Sequence, residues 1–158
     1  MEAAHHYEVT VAWTGNRGTG TSGYRDYDRS HTVTAAGPAA IEGSSDPAFR
    51  GDASRWNPEQ LLVAALSECH LLAYLHCAAV AGVVVVDYTD TAVATMIMHR
   101  DGGGQFTTAT LRPRVTVTTP DMVDKALSLH DDAHRQCMIA ASVNFPVGHE
   151  PEIVTEAG

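Results

Sequence analysis

The sequence predicts one α+β domain over residues 1–158, in which antiparallel sheets wrap around a single long buried central helix. Two observations lead to this fold class. Residues 57–81 are almost wholly apolar and are numerous enough for a central helix. Segments that alternate in polarity or are rich in β-branched residues lie on both sides of that stretch, separated by glycine and proline. The pattern is that of sheets covering a core helix.

The segment before the helix predicts a β-hairpin. Residues 7–13 alternate and are rich in strand formers, so they predict a strand at a sheet edge or against a neighbouring chain. A glycine-rich loop over residues 14–23 follows, and residues 24–34 alternate weakly, which predicts an antiparallel return strand. Residues 35–56 contain small residues, proline and glycine, and predict an irregular connection.

The central helix has clear start and stop signals. Asn57 is a good N-cap, Pro58 suits the first helical position because it needs no N–H there, and Glu59 favours the positive end of the helix dipole. Gly82 supplies the stop. We therefore expect a helix from Pro58 to about Ala81.

The helix has no clean polar face, which predicts burial on nearly all sides. A chain of 158 residues is short for covering such a helix, so we expect a partner subunit to cover part of it. A membrane span is the alternative, because the apolar run continues to residue 86. We reject it, since Glu68, His70 and His76 lie inside the run and Gly82 interrupts it.

The second half of the chain predicts strands, a helix and a short tail. Residues 83–98 have enough β-branched residues for one or two strands, and residues 105–118 predict the opposing strand after a glycine turn. A second helix begins at Pro120, carries an apolar stripe at helical spacing and ends near Cys137. Residues 143–154 predict a turn or short helix and a weak last strand.

Composition narrows the function classes. Lys and Arg number 10 against 19 Asp and Glu, and the formal charge is −9, so binding to nucleic acid or to an anionic membrane is disfavoured. The N-terminus has no secretory signal, and three cysteines do not make a paired secreted framework. We therefore expect a cytoplasmic protein with free thiols, and the sequence indicates no cofactor.

The three cysteines differ in what they can reach. Cys69 and Cys77 lie eight positions apart on one helix, which is about 12 Å of rise and beyond the ~7 Å Cα separation that a disulfide tolerates. Cys137, near the end of the other helix, is therefore the only possible intrachain partner of Cys69. Cys77 is predicted to be a core residue.

A reactive Cys69 needs a positive group that holds it as a thiolate, and the middle of a buried helix offers none of its own. Arg17, in the glycine-rich loop, is one candidate. Spacing alone does not choose between it and the other arginines considered, namely Arg25, Arg29, Arg50, Arg55 and Arg135.

Three motifs together make a specific resemblance. They are Gly-Asn-Arg-Gly-Thr-Gly at residues 15–20, Asn-Pro-Glu-Gln-Leu-Leu at residues 57–62 with Cys69 ten positions after the Glu, and His-Asp-Asp-Ala-His-Arg-Gln-Cys at residues 130–137. In these motifs the chain resembles the OsmC/Ohr family of thiol-dependent peroxidases (osmotically inducible protein C and organic hydroperoxide resistance proteins). The resemblance covers nearly the whole chain. Many members have proline after the second cysteine, whereas Met138 follows Cys137 here.

The resemblance implies an OsmC-like intertwined homodimer that reduces organic hydroperoxides. By position, Cys69 matches the peroxide-attacking cysteine and Cys137 the resolving cysteine, so a Cys69 sulfenic acid and then a Cys69–Cys137 disulfide are implied. Arg17 matches the thiolate-activating arginine, and Glu59 matches the carboxylate that pairs with it. An external dithiol, of the lipoyl-protein or thioredoxin type, would restore both thiols.

Glu59 poses a geometric problem. On a straight helix it lies about 15 Å of rise from Cys69, too far for direct contact. The helix breaks between them, or Arg17 spans part of the gap, or Glu59 and Cys69 of one site come from different subunits. We favour the last alternative, because two such helices crossing antiparallel would bring the start of one to the middle of the other.

The histidines suggest a metal site as an alternative. His130, His134 and Cys137 have i, i+4 and i+7 spacing, so one helical face could hold zinc. Metal-bound Cys137 could not act as a resolving thiol, so polar packing beside the thiols is the preferred interpretation of His134, and His130 has no assigned role. Glu68 and His70 flank Cys69 and are as compatible with a subunit interface as with catalysis.

Two further functions stay open beside the peroxidase. The first is a non-catalytic protein of the same fold that senses redox state or binds a small molecule, with the cysteines as a switch. The second is a metal-binding hydrolase, which would need the histidine face to hold its metal. Peroxide consumption separates the first from an enzyme, and elemental analysis tests the second.

Overall fold

The computed structural model describes residues 1–156. Over these residues the chain forms nine β-strands, two α-helices and three short 3-10 helices. It divides into two compact units, one containing Met1–Leu61 and the other beginning at Leu62. The fold is of the α+β class with a long helix, as predicted.

The first unit carries one antiparallel sheet. Its strands are β1 (Thr10–Trp13), β2 (His31–Thr34) and β3 (Ile41–Gly43), in the order β1-β2-β3. The predicted hairpin is confirmed, since β1 and β2 pair antiparallel with Val11 opposite Val33. The strand β3 was not predicted, because a three-residue strand inside a proline-rich connection has too short a pattern to detect. A 3-10 helix (Pro47–Phe49) follows it.

The return strand is shorter than predicted, and Arg29 explains why. Its guanidinium donates hydrogen bonds of 2.6 Å to the carbonyl oxygens of Tyr24 and Tyr27 and lies over both tyrosine rings. These carbonyls are satisfied by a side chain rather than by a sheet partner, so the segment before β2 is a loop.

The helix α1 (Pro58–Ala81) begins and ends where its sequence signals predict. The Asn57 side-chain oxygen accepts a hydrogen bond of 2.8 Å from the Gln60 N–H, and the Gln60 side chain accepts one of 3.1 Å from the Asn57 N–H. This reciprocal pair is a capping box. At the other end Gly82 has a φ of 73°, a left-handed conformation that ends the helix.

One face of α1 is buried within the chain, and the opposite face is not. The buried residues follow helical spacing and are Leu66, His70, Tyr74, Cys77 and Ala78. Leu72, Leu75 and Val80 are exposed in the single chain, so burial on nearly all sides stays a prediction that depends on the expected partner subunit. By length and composition α1 could cross a membrane, but its packing within a hydrophobic core identifies it as a core helix.

The second unit contains two three-stranded sheets. One has the order β4-β7-β9, formed by β4 (Val85–Asp90), β7 (Pro113–Val117) and β9 (Glu152–Thr155). The other has the order β5-β6-β8, formed by β5 (Val93–Met98), β6 (Gly104–Leu111) and β8 (Val147–His149).

Each sheet is mixed rather than purely antiparallel. The β4/β7 and β5/β6 pairs are antiparallel, as predicted. The tail then adds β8 parallel to β6 and β9 parallel to β7, which local patterns could not show. The segment predicted as one strand over residues 105–118 is divided at Arg112 between two sheets.

The second helix is as predicted, with a 3-10 turn at its start. The 3-10 helix (Pro120–Met122) leads into α2 (Val123–Gln136), and Cys137 is the C-cap. Ala126, Leu129 and Ala133 of the predicted stripe are buried in one core cluster that also contains residues of α1, β4 and β7. A smaller cluster gathers Leu66 against strand β6. Helices α1 and α2 therefore share a core.

Candidate active site

Two cysteines that are distant in sequence meet in the second unit. Cys69 lies on α1 and is half-buried, while Cys137 at the end of α2 is 2% exposed. Both are free thiols. Burial raises the pKa of the Cys137 thiol, and a side-chain hydrogen bond with Cys69 raises it further, while a backbone hydrogen bond from Ala140 opposes the rise. The thiol that the sequence singled out as the only intrachain partner of Cys69 is thus its neighbour.

The end of α2 places Cys137. Its N–H donates to the His134 carbonyl at 3.2 Å, and its own carbonyl accepts from the Ala141 N–H at 3.1 Å. Its φ of −78° and ψ of 100° take the backbone out of the helix into the 3-10 helix (Ala140–Ser142). Cys137 therefore lies at the junction of two helical segments, where the chain changes direction.

Cys77 has no part in this thiol pair. It is 7% exposed and belongs to the hydrophobic cluster that contains Tyr74 and Ala78. The sequence prediction that Cys77 is a core residue is confirmed.

Arg17 lies in a structured loop of the first unit. The Asn16 side-chain oxygen accepts hydrogen bonds from the N–H groups of Gly18 (2.9 Å) and Gly20 (3.0 Å), which shapes the turn around Arg17. The guanidinium donates to the Arg25 carbonyl and forms an exposed ion pair of 3.7 Å with Asp28. The arginine is thus held at the surface by contacts that are weak in water.

Glu59 lies in the first turn of α1 and is half-buried. Its Oε2 atom is buried and has no hydrogen-bond partner among the residues described. Within one chain Arg17 is paired with Asp28 and not with Glu59. The expected pairing of Arg17 with Glu59, and the approach of either to Cys69, stay predictions.

The structure removes one of the three explanations for the separation of Glu59 from Cys69. The helix α1 is continuous from Pro58 to Ala81, so there is no break between the two residues. The remaining explanations are an arginine that spans part of the gap and a site shared between subunits.

A pair of buried histidines joins α1 to α2. The Nε2 atom of His70 lies 2.9 Å from the Nδ1 atom of His130, and the two side chains are 0% and 1% exposed. Tyr74 stacks on His130 with ring centroids 4.0 Å apart and donates its hydroxyl to the Ala126 carbonyl at 2.9 Å. His70 is thus a core residue, which excludes the subunit-interface alternative for it, whereas Glu68 is exposed.

Burial keeps the histidine pair neutral. Burial, together with the smaller effect of the nearby His149, lowers the pKa of His70 to about 4 and that of His130 to about 3. A neutral pair shares one proton across the 2.9 Å contact, with one ring donating and the other accepting. Sequence reasoning missed this pair, and the only local signal was a histidine inside an otherwise apolar helix.

The zinc alternative finds no support in the geometry. Among residues 1–156, no group of three or more His, Cys, Asp or Glu side chains could hold a metal ion. His130 bonds to His70, and His134 packs against His149 with ring centroids 5.6 Å apart. His149 in turn contacts Asp131 at 3.1 Å. The helical face considered for a metal is occupied by ring packing.

The family model for OsmC-like proteins matches residues 51–152, a segment that includes α1, both cysteines and α2. The chain belongs to the OsmC-like protein family. No protein with a curated description matches this OsmC-like chain in sequence.

Solved structures share the OsmC-like fold over almost the whole chain. An OsmC-like protein of unknown function from Vibrio cholerae is 30% identical, with a TM-score of 0.84 over 94% of this chain and 99% of that one. An organic hydroperoxide resistance protein from Elizabethkingia anophelis is 19% identical, with a TM-score of 0.70 over 99% and 100%. One from Bacillus subtilis is 22% identical, with a TM-score of 0.63 over 96% and 100%. The last two likenesses concern the fold alone.

Proposed function

We propose that this protein is a thiol-dependent peroxidase that reduces organic hydroperoxides. The observation that carries the proposal is the contact between Cys69 and Cys137, which are far apart in sequence and meet as free thiols in an OsmC-like chain. The fold is shared with organic hydroperoxide resistance proteins from two bacteria, which supports the substrate class.

The chemistry follows from the two thiols. The Cys69 thiolate attacks one peroxide oxygen, the O–O bond breaks, and the alkoxide leaves and takes a proton to become an alcohol. The resulting Cys69 sulfenic acid reacts with the Cys137 thiol, so that an S–S bond forms, the S–O bond breaks and water leaves. An external dithiol then reduces the disulfide by exchange and is itself oxidised to a disulfide.

The raised pKa of Cys137 fits a thiol that does not react with peroxide in the first step. A thiol that stays protonated does not compete with Cys69 for peroxide, because the thiolate is the nucleophile. Once Cys69 is a sulfenic acid, the contact between the two sulfur groups makes Cys137 the nearest nucleophile. The raised pKa of Cys137 therefore supports its role as the resolving cysteine rather than the peroxide-attacking one.

Arg17 and Glu59 are assigned the activating roles. Arg17 would hold Cys69 as a thiolate and offset the charge that develops on the leaving alkoxide, since a guanidinium presents several donors to an oxyanion. Glu59 would accept from that guanidinium. The Oε2 atom of Glu59 supports this, because it is buried without a hydrogen-bond partner among residues 1–156 and a carboxylate oxygen removed from water needs a donor.

The working unit is proposed to be a homodimer. Leu72, Leu75 and Val80 form an exposed apolar face on α1, and exposed apolar area of this kind in a small soluble protein marks an interface. A shallow apolar cavity of about 330 Å³ adjoins that face, lined by Leu75, Ala78, Ala79, Gly82, Val83, Val84 and Val85. A second copy would cover this surface. The acidic composition and free thiols fit a cytoplasmic location.

Peroxide consumption tests the proposal. Purified protein with cumene hydroperoxide should consume the oxidant when dithiothreitol, dihydrolipoamide or reduced thioredoxin is supplied. Cys69→Ser should abolish consumption, Cys137→Ser without added thiol should allow one turnover followed by overoxidation, and Cys77→Ser is the matched control that retains activity. If Cys69→Ser consumed peroxide as fast as the native protein, the peroxidase assignment would be wrong. Reversible oxidation without turnover would instead identify a redox-sensing or small-molecule-binding protein.

A further inference from the structure

Helices α1 and α2 each carry one thiol of the pair, and polar contacts fix one helix against the other. The first contact is the ring-to-ring hydrogen bond between His70 and His130. The second is the hydrogen bond from the Tyr74 hydroxyl to the Ala126 carbonyl. His70 follows Cys69 directly in sequence, and His130 lies two helical turns before Cys137. The contacts thus lie between the same two helices as the thiols.

The histidine pair joins two helices at a cost in desolvation free energy. Both rings are buried, and the outer nitrogens, Nδ1 of His70 and Nε2 of His130, are buried without a hydrogen-bond partner among residues 1–156. One contact is made while two polar atoms lose water, so the pair contributes little net stability. Buried polar groups retained at such a cost act best as devices that fix register.

The histidine pair allows only a narrow range of positions of α2 relative to α1. A hydrogen bond between two rings tolerates little change in distance or angle, whereas apolar packing such as that of Ala126 and Ala133 tolerates small slides. Tyr74 limits the His130 ring further by stacking on it at an interplanar angle of 15°. On the other side, His70 packs against His149 with ring centroids 5.6 Å apart. Neither ring can turn away without disturbing its neighbours.

We propose that the His70–His130 pair is a positioning device that holds the end of α2 so that the Cys137 sulfur stays against Cys69. Its task is the disulfide-forming step, in which the Cys137 thiol displaces hydroxide from the Cys69 sulfenic acid and the thiol proton leaves with it as water. As part of the peroxidase cycle the inference rests on the proposed function. Neither histidine exchanges a proton or electron with the reacting sulfurs in this role.

The test separates the attack on peroxide from the closure of the disulfide. In single turnovers with one equivalent of cumene hydroperoxide, quenched samples are alkylated, and mass spectrometry measures the Cys69 sulfenic acid and the disulfide. His130→Leu should slow disulfide closure by about 10- to 100-fold, because a displacement near 1 Å costs rates of that order. Formation of the sulfenic acid should change by less than about threefold, because His130 acts on Cys137.

Two matched variants distinguish positioning from general loosening. His130→Asn places an amide near the former Nδ1 and should restore closure to within about threefold of the native rate. Leu129→Ala removes buried packing from the same helix without touching a polar contact and should leave closure near native. Equal slowing in Leu129→Ala and His130→Leu would overturn the inference. If His130→Leu does not fold, Tyr74→Phe removes the other contact and should slow closure about threefold, and native closure there would also count against it.

A second arm makes the inference independent of peroxide. Diamide, which takes two electrons and two protons from a pair of thiols, forms the Cys69–Cys137 disulfide without a sulfenic acid. In a glutathione redox buffer, the effective concentration of the two thiols should fall about tenfold in His130→Leu and recover in His130→Asn. The native protein could fail to consume peroxide while the effective thiol concentration still falls in His130→Leu and recovers in His130→Asn. That result would contradict the proposed function and support the positioning role. If the effective concentration of the two thiols were unchanged in His130→Leu, the positioning role would be wrong whatever the peroxide result.

Discussion

Tyr74 and Tyr88 lie with ring centroids 5.8 Å apart, and their hydroxyl groups meet opposite environments. The Tyr74 hydroxyl donates to the Ala126 carbonyl at 2.9 Å. The Tyr88 hydroxyl is buried and has no hydrogen-bond partner among residues 1–156. Burial raises the pKa of both phenols, so both are neutral at physiological pH.

The two tyrosines therefore predict opposite effects of the same substitution. Tyr74→Phe removes the hydrogen bond from the hydroxyl to the Ala126 carbonyl and should lower the free energy of unfolding by about 1 kcal/mol. Tyr88→Phe removes an unsatisfied hydroxyl and should leave stability unchanged or raise it by up to about 1 kcal/mol. Urea denaturation of both variants measures the difference. Equal destabilisation by the two substitutions would show that the Tyr88 hydroxyl has a partner.

The histidine pair predicts loss of stability in mild acid. The folded-state pKa values, about 4 for His70 and about 3 for His130, lie below the ordinary value of 6.5, so only the unfolded state binds protons between them. Stability is therefore complete above pH 6.5 and falls as the pH decreases toward 4. Near pH 5 the two groups together give a slope of up to about 2.7 kcal/mol per pH unit.

Chemical denaturation between pH 5 and pH 7.5 measures this slope, in a range above most carboxylate titrations. His130→Asn removes one buried titrating ring and should reduce the slope by about half. His76→Gln, at an exposed position on the same helix as His70, is the matched control. The slope of stability against pH should not exceed the value for two protons, because the pair contains two rings. Asp90 and Asp131 favour the charged rings and therefore act against the lowered pKa values. A flat profile from pH 7 to pH 5 would mean that the rings are hydrated.

The capping box at the start of α1 predicts a modest, coupled stability effect. Asn57→Ala removes the acceptor for the Gln60 N–H and should lower the free energy of unfolding by about 1 kcal/mol. Gln60→Ala should cost less, because it removes only the return contact to the Asn57 N–H. The double variant should cost less than the sum, since the two bonds support each other. Additive losses in thermal or urea unfolding would show that the contacts are independent.

The role proposed for Arg17 predicts that its substitution slows the reaction with peroxide, whereas substitution of its surface partner does not. Arg17→Ala should lower the second-order rate with cumene hydroperoxide by about 100- to 1,000-fold, the usual cost of an oxyanion donor. Asp28→Asn removes the exposed ion pair and should change that rate by less than about fivefold. Arg25→Ala, in the same loop, is the matched arginine control. Native rates in Arg17→Ala would remove Arg17 from the site.

Local signals carried much of the fold. Asn57, Pro58 and Gly82 set the bounds of α1 because a cap, a first-turn proline and a left-handed glycine act within a few residues. The parallel addition of β8 and β9 could not be predicted, since it depends on where the tail meets strands far back in the sequence. The failure at residues 24–30 has a different, local origin, because the Arg29 side chain binds the Tyr24 and Tyr27 carbonyls where the weak alternation predicted a strand.

The candidate site was predictable to a similar degree. Helix geometry separated Cys77 from Cys69 and left Cys137, because rise per residue is a fixed quantity. Nothing in the spacing of His70 and His130, which are 60 positions apart, indicates a shared hydrogen bond. The surplus of apolar residues on α1 was visible, but sequence could not assign them to a face covered within the chain or a face left open.

The position of Cys137 gives oxidation a mechanical consequence. A disulfide to Cys69 would close a covalent ring of roughly 70 residues. By lowering the conformational entropy of the unfolded chain, it would raise the free energy of unfolding by about 4 kcal/mol. In each turnover the protein would then alternate between a reduced form without the cross-link and a cross-linked form that resists unfolding and proteolysis. The melting temperature of a sample would report the fraction of molecules that an oxidant has converted to the disulfide form.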